Sequence, residues 1–133
     1  MSQENVEVMR TTIEAFGRGE DRWVEAIDEE IEWDNSAYPA VGAPLRGTGR
    51  ESFIRFLSRY RGTWRHWEIT IEELIDADDD VVALLHETVR ARGSDAPIER
   101  HFAQVWTVRD DRAVKCRAYR TKEEALEAAG LRE

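Results

Sequence analysis

The sequence predicts an α+β fold in which helices gathered early in the chain pack on one face of a curved antiparallel sheet built from its second half. Three observations carry this. Apolar residues recur at three- and four-residue spacings in the segments before residue 64, they alternate with polar residues across much of 67–120, and no internal repeat interrupts the 133 residues. The clearest stretch is 98–109, IERHFAQVWTVR. Phe102, Gln104, Trp106 and Val108 fall on one of its faces, and His101, Ala103, Val105 and Thr107 on the other. Apolar residues on both faces mark an interior strand, with the core on one side and a second layer or a partner on the other.

Taken in order, Ser2 is placed to cap a first helix, on which Val6, Met9, Ile13 and Phe16 share a face before Gly17 and Gly19 end it. Glu20 and Asp21 open a shorter helix with Trp23, Val24 and Ile27 on its apolar side, closed in water by Asp28, Glu29 and Glu30. Segment 31–36, IEWDNS, reads as a short strand running into a turn. Segment 37–49 holds two prolines and three glycines and reads as a long loop of the kind that borders binding sites. Thr48 and Glu51 form a capping-box pair ahead of a third helix, whose Phe53, Ile54, Phe56, Leu57, Tyr60 and Trp64 make a stripe wide enough to lie across a sheet. Trp67, Ile69 and Ile71 alternate with Glu68, Thr70 and Glu72 in a strand with one wet face. An acidic turn at 76–80 leads to a strand over 81–92, a turn over 93–97 and the strand already described. Asp110 and Asp111 make the next hairpin, and 113–120 is the last strand of a four-strand antiparallel meander. Thr121 and Glu124 repeat the capping box before a helix through Ala129, stopped by Gly130. The whole, 1–133, is of single-domain size.

Twenty-eight acidic residues against 19 basic ones give a net charge of -9, and no basic run stands out. Nucleic acid and anionic membrane surfaces are poor partners for such a chain. No apolar run approaches the roughly 20 residues of a membrane span and the N-terminus is polar, so a cytoplasmic protein is expected. Cys116, the single cysteine, reads as a small buried strand residue. The three dispersed histidines and the run DADDD lack metal-ligand spacing, so neither a metal nor another cofactor is expected.

Several polar residues fall on apolar faces. Gln104, between Phe102 and Trp106, is either satisfied inside a core or presented to a molecule entering a cavity. Glu87 shares a face with Leu85 and Val89; if that face is buried it must be paired, and Arg100 or His101 on the adjoining strand is within reach. His86 is a candidate pocket acid/base by residue type, but its place on the opposite face with Thr88 and Arg90 favours a solvated or dimer-facing residue. The face bearing Ala103, Val105 and Thr107 has no helix assigned to cover it, from which a homodimer is expected.

EAFGRGE at the end of the first helix, IEWD on the first strand, RGTGRESFIRFL leading into the third helix and FAQVWTVRDDRAVKCRAY, taken with the order of elements, resemble the SnoaL-like branch of the nuclear transport factor 2-like superfamily over nearly the whole chain. The resemblance implies a cystatin-like cone, with a bent sheet wrapped around the N-terminal helices and an apolar pocket at the open end. Relatives include polyketide cyclases, ketosteroid isomerases, limonene epoxide hydrolases and pockets with no established reaction. The implied ligand is a small apolar or polycyclic molecule, and the implied chemistry is proton transfer alpha to a carbonyl.

By the same resemblance, Asp34 matches the catalytic base of the isomerases. A carboxylate beside Trp33 in an apolar mouth would be hard to ionise and suited to that task; the other reading is an exposed aspartate capping a turn with Asn35 and Ser36. Gln104 stands where the isomerase has a protonated acid, as a weaker donor to an oxyanion. The isomerase tyrosine matches Thr12, so steroid isomerisation itself is not expected. Arg117 offers the arginine of the epoxide hydrolase network but has no acid pair. Trp33, Tyr38, Phe102, Trp106 and Phe16 are the expected ligand-binding residues. A ligand-binding or dimerisation module without catalysis is the alternative, and the setting of Asp34 discriminates.

Overall fold

The computed structural model describes residues 2–39 and 44–131. In chain order these form α1 (Ser2–Gly17), a 3-10 helix (Asp21–Ala26), β1 (Ile27–Asp34), β2 (Arg46–Thr48), α2 (Arg50–Thr63), β3 (Trp64–Ala77), β4 (Asp80–Ala91), β5 (Pro97–Arg109), β6 (Arg112–Tyr119) and α3 (Lys122–Ala128). The cap expected from Ser2 falls on a side chain outside those described. No helix among the described residues is long and apolar enough to cross a membrane.

The strands form one sheet in the order β2-β1-β6-β5-β4-β3. The four-strand antiparallel meander is present as β3 to β6, but the sheet as a whole is mixed, because β1 lies parallel to β6 and β2 extends it at that edge. Asp28, Glu29 and Glu30 therefore begin a strand rather than close a helix. Ile27 and Ile31 lose all exposure and Trp33 nearly all. Burying three such side chains is worth roughly 2 kcal/mol each, more than the helical preference of a short acidic segment. The ladder is irregular between Ile27, opposite Ala113, and Glu32, opposite Lys115. Within that break Glu29 reaches Arg50 of α2 at 3.6 Å.

The two expected capping boxes part company. Thr121 Oγ1 accepts from the Glu124 amide at 3.1 Å and Glu124 accepts from the Arg120 amide at 3.1 Å, so α3 starts as its sequence indicates. Thr48 is instead a strand residue opposite Glu32, and the N-cap of α2 is Gly49 at φ 102°, without a side-chain cap. Glycine is what allows the chain to turn from β2 into α2 within one residue. Asp110 and Asp111, both at positive φ, close the β5–β6 hairpin as a primed turn.

The sheet has two unequal layers. On its inner face Val81, Ala83 and Leu85 of β4, Trp106 and Val108 of β5, and Cys116 of β6 pack against Val6, Met9 and Ile13 of α1 and Phe53 and Phe56 of α2. On the outer face Val82, Ala103 and Val105 pack under Ala125 and Leu126 of α3. The face expected to be bare is thus covered where it is most apolar: Ala103 and Val105 have no exposure within one chain. The short, alanine-rich α3 conceals this role in the sequence. What stays open is polar, and includes His86 and His101, stacked at 4.6 Å, with Glu99 2.7 Å from His86 and Glu72 3.2 Å from His101.

Candidate functional site

Glu87 is the natural starting point, because strand periodicity carries it inward with Leu85 and Val89 and leaves it 1% exposed. Register places Arg100 directly opposite on β5. The guanidinium reaches Glu87 Oε1 through Nη2 at 2.6 Å and Nε at 3.1 Å. Trp67 Nε1 donates to Oε2 at 2.7 Å, and the hydroxyl of Tyr60, near the end of α2, lies 2.7 and 2.8 Å from the two oxygens. Arg100 Nη2 also donates to the Tyr60 oxygen. Burial and then the Glu87 charge push the Tyr60 phenol well above its ordinary range, so it remains a donor. Both carboxylate oxygens are engaged, which is the condition for keeping a charge out of water.

This network forms one wall of a cavity of about 90 Å³. Phe16 from the end of α1, Phe56 and Leu57 from α2, Ile69 from β3 and Phe102 from β5 supply its apolar surface. Phe16 is fixed edge-on against Trp67 and Trp23, and Arg61 lies over the Trp67 ring while donating to the Phe16 carbonyl at 3.2 Å. Tyr38 stacks on Phe102 at 5.1 Å, nearly parallel. Gln104 and Asn35 add two amides to the lining. Gln104 Oε1 accepts from Trp106 Nε1 at 2.9 Å, leaving the Gln104 amide N–H groups without an acceptor among the described residues. Arg100 Nη1 and the Tyr38 hydroxyl likewise donate to no described residue. The cavity thus has apolar walls, one carboxylate already saturated with donors, and donors still available on Gln104, Arg100 and Tyr38, with the Asn35 amide beside them.

Four expected site residues come together here: Phe16, Tyr38, Phe102 and Gln104. Trp33, Trp106 and Asp34 do not line this cavity. Trp33 is core, stacked on Phe56 at 4.7 Å with Nε1 on Ser52 at 3.0 Å. Trp106 is 5% exposed and bears on the cavity only by holding Gln104. The base role expected of Asp34 is corrected by its position. Trp33 takes the inward phase of β1, so Asp34 one residue on turns to the outer face. There it accepts from the Ser36 hydroxyl at 2.6 Å and the Ser36 amide at 2.8 Å. These bonds, helped by Arg46 and Arg117, hold its carboxyl below the usual aspartate range, the reverse of the shift a neutral-pH base requires. Thr12 is buried with its hydroxyl on the Val8 carbonyl at 2.7 Å, and Arg117 faces Asp80 at 3.5 Å on the outer side.

Of the two partners open to Glu87, the structure selects Arg100; His101 lies on the other face. Tyr60 and Trp67 had no sequence signal of their own, being read as parts of apolar stripes. Their one clue was indirect: a glutamate committed to an apolar face needs more donors than one arginine supplies.

Beyond Pro39, Phe56, Tyr60 and Arg100, which the two spaces share, lies an open groove of about 830 Å³ between α2 and β2, with Trp33 on its wall.

Residues 9–116 match the SnoaL-like domain family. No curated protein matches the sequence. Among solved structures, TerC co-crystallized with polyporic acid superposes with a TM-score of 0.77 at 17% identity, covering 96% of this chain and 98% of its own. An NTF2-like protein of Burkholderia pseudomallei gives 0.77 at 22%, covering 96% and 97%. An LEH-like epoxide hydrolase of M. tuberculosis gives 0.69 at 18%, covering 96% and 90%. At these identities the structures speak for the fold alone. A family match across most of the sequence, on N-terminal helices packed against a six-strand, mostly antiparallel sheet, makes the chain a member of the SnoaL-like family with the NTF2-like fold.

Proposed function

We propose that the chain binds a small oxygenated organic molecule, with a carbonyl, enolate or carboxylate oxygen at Gln104, Arg100 and Tyr38 and the apolar part against Phe16, Phe56 and Phe102. The observation that carries this is the convergence on one apolar cavity of donors from Gln104, Arg100 and Tyr38 that have no acceptor among the described residues. Donors fixed in advance around an oxygen favour the state in which that oxygen carries more negative charge, so the same site polarises a bound carbonyl toward its enolate. Polyporic acid, crystallised with the TerC neighbour, is an oxygenated compound of this broad kind. The cavity of about 90 Å³ is smaller than the roughly 150 Å³ that accommodates benzene, so it takes the oxygen-bearing end of a ligand, and the ring of even a benzoate reaches out into the groove. A polycyclic skeleton would extend into the groove.

A second reading is isomerase- or cyclase-like proton transfer, favoured by one observation: Glu87 is the only carboxylate lining the cavity among the described residues. Its oxygens are committed to Tyr60, Trp67 and Arg100 and neither is turned free toward a substrate proton, which is why binding with polarisation is the first reading. A homodimer formed through the open polar sheet face around His86 and His101 belongs to the same proposal and is tested by light scattering.

The cavity is tested by an NMR titration with benzoate, and with toluene as its oxygen-free counterpart. Benzoate is expected to shift the Gln104 side-chain amide signals and to bind about tenfold more weakly to Tyr38→Phe, which keeps the ring stack and removes one donor, whereas toluene, with no oxygen for the donors, is expected to leave those signals unmoved. Gln104 signals unmoved by saturating benzoate would defeat the proposal.

A further inference from the structure

The groove outside the cavity inverts the charge of the molecule. The chain carries a net charge of -9, yet the groove is lined by Arg46, Arg55, Arg59 and Arg100 and by no acidic residue among those described. Arg55 and Arg59 stand one helical turn apart on α2, and Arg46 comes from β2 on the facing side. Other arginines nearby are engaged: Arg50 with Glu29 and the Ile27 carbonyl, Arg61 with the Phe16 carbonyl, Arg65 with Asp95 and the Ser94 carbonyl. The guanidinium groups of Arg55 and Arg59 form no ion pair or hydrogen bond with any described residue, and that of Arg46 forms none either, though its charge is felt by Asp34 opposite it in the β1–β2 ladder. Pro39, Pro44, Gly47 and Thr48, which border the groove, belong to a stretch whose sequence, 37–49, contains no Asp or Glu. Trp64 Nε1, buried in the same wall, has no acceptor among the described residues. Unneutralised guanidinium groups beside an apolar opening attract anions and raise their local concentration.

We propose that the natural ligand is a two-ended amphiphilic anion, a deepening that rests on the cavity reading above. Its oxygen-bearing apolar head enters the cavity, and a second, strongly acidic group of the carboxylate, sulfonate or phosphate type lies in the groove against Arg55, Arg59 and Arg46. With a rise of about 1.5 Å per residue, Arg55 and Arg59 lie within about 8 Å of Tyr60 along α2, so the two ends are separated by one or two ring widths. A neutral apolar compound would use the cavity and leave the arginines unanswered.

Two fluorescent probes share an anilinonaphthalene frame and differ in charge: 1-anilinonaphthalene-8-sulfonate is anionic, and N-phenyl-1-naphthylamine is neutral. Both are titrated into the intact protein and into Arg55→Gln/Arg59→Gln, two exposed helix positions, with unfolding midpoints compared to establish that the variant is folded. The sulfonate is expected to bind the parent more tightly, to lose about tenfold in the variant and to weaken with salt, while the neutral probe is unchanged. Arg46→Gln repeats the comparison from the opposite wall. Equal affinities of the two probes for the parent, or a sulfonate affinity that both variants leave intact, would overturn the inference. The benzoate titration separates the two readings: Gln104 shifts retained with no charge discrimination between probes remove the groove alone, and their absence removes the cavity reading.

Discussion

Replacing Arg100 by methionine is the sharpest perturbation this structure offers. The change keeps an unbranched apolar stem and deletes a guanidinium that makes two hydrogen bonds to Glu87 and one to Tyr60. Glu87, 1% exposed, is then left charged with only Tyr60 and Trp67 as donors. Removing one partner of a buried pair costs about 3–5 kcal/mol. Arg100 itself is 32% exposed, so water can approach from the vacated side and the lower end, about 3 kcal/mol, is the expected value. Against a total stability of roughly 5–15 kcal/mol for a domain this is a large fraction. Urea unfolding at neutral pH should show it as a lower midpoint at unchanged slope. Adding Glu87→Gln removes the stranded charge while keeping an acceptor for Tyr60 and Trp67, and should restore about 2 kcal/mol of the loss. A cost below about 1 kcal/mol for Arg100→Met, or a double variant no more stable than the single one, would refute the argument that a buried charge is what Arg100 compensates.

Other outcomes follow from single residues. Asp34→Asn should lower stability by less than about 1 kcal/mol at neutral pH, because the carboxyl is largely hydrated, and should leave benzoate binding unchanged. The folded carboxyl ionises below the unfolded value of 3.8, so its contribution is present above that pH and lost as pH falls through the folded value; urea curves of parent and variant should converge there. Gly47→Ala places a Cβ inside the van der Waals envelope of the Trp33 indole, and thermal unfolding should register a loss of about 1–3 kcal/mol. Cys116 is 2% exposed and burial pushes its thiol far up, so it should resist a thiol-directed reagent in the native protein and react fully in denaturant. Thr121→Ala should cost about 1 kcal/mol and loosen α3 from Ala103 and Val105, seen as faster hydrogen exchange in β5.

The second half of the chain was legible because each strand carries its own signal. The two faces of β5, the burial of Glu87 and its nearness to Arg100 all follow from counting by twos and aligning one hairpin. The first half was less so. Ile27 and Ile31 are four apart, a spacing that serves a helix or a strand equally, and only pairing with β6, far along the chain, decides between them. Thr48 and Glu51 have a capping pattern that β2 pre-empts. For the site, aromatic content singled out Phe16, Tyr38 and Phe102, while Asp34 was misplaced because a motif fixes position along a strand and says nothing of which face its neighbour claims. Trp33, larger and apolar, claimed it. Tyr60 and Trp67 become polar participants only when three separate elements meet at Glu87.

The parallel seam between β1 and β6 sets an order of assembly. Trp33 and Cys116 stand side by side although about eighty residues lie between them, and closing so long a loop is slow beside zipping up the β3–β4 hairpin. A nascent chain therefore emerges with Ile27, Ile31 and Trp33 waiting in water until 112–119 has been synthesised. During that interval the greasy edge of the early segment is what a chaperone would grip, and the final strand acts as the latch that ends the wait.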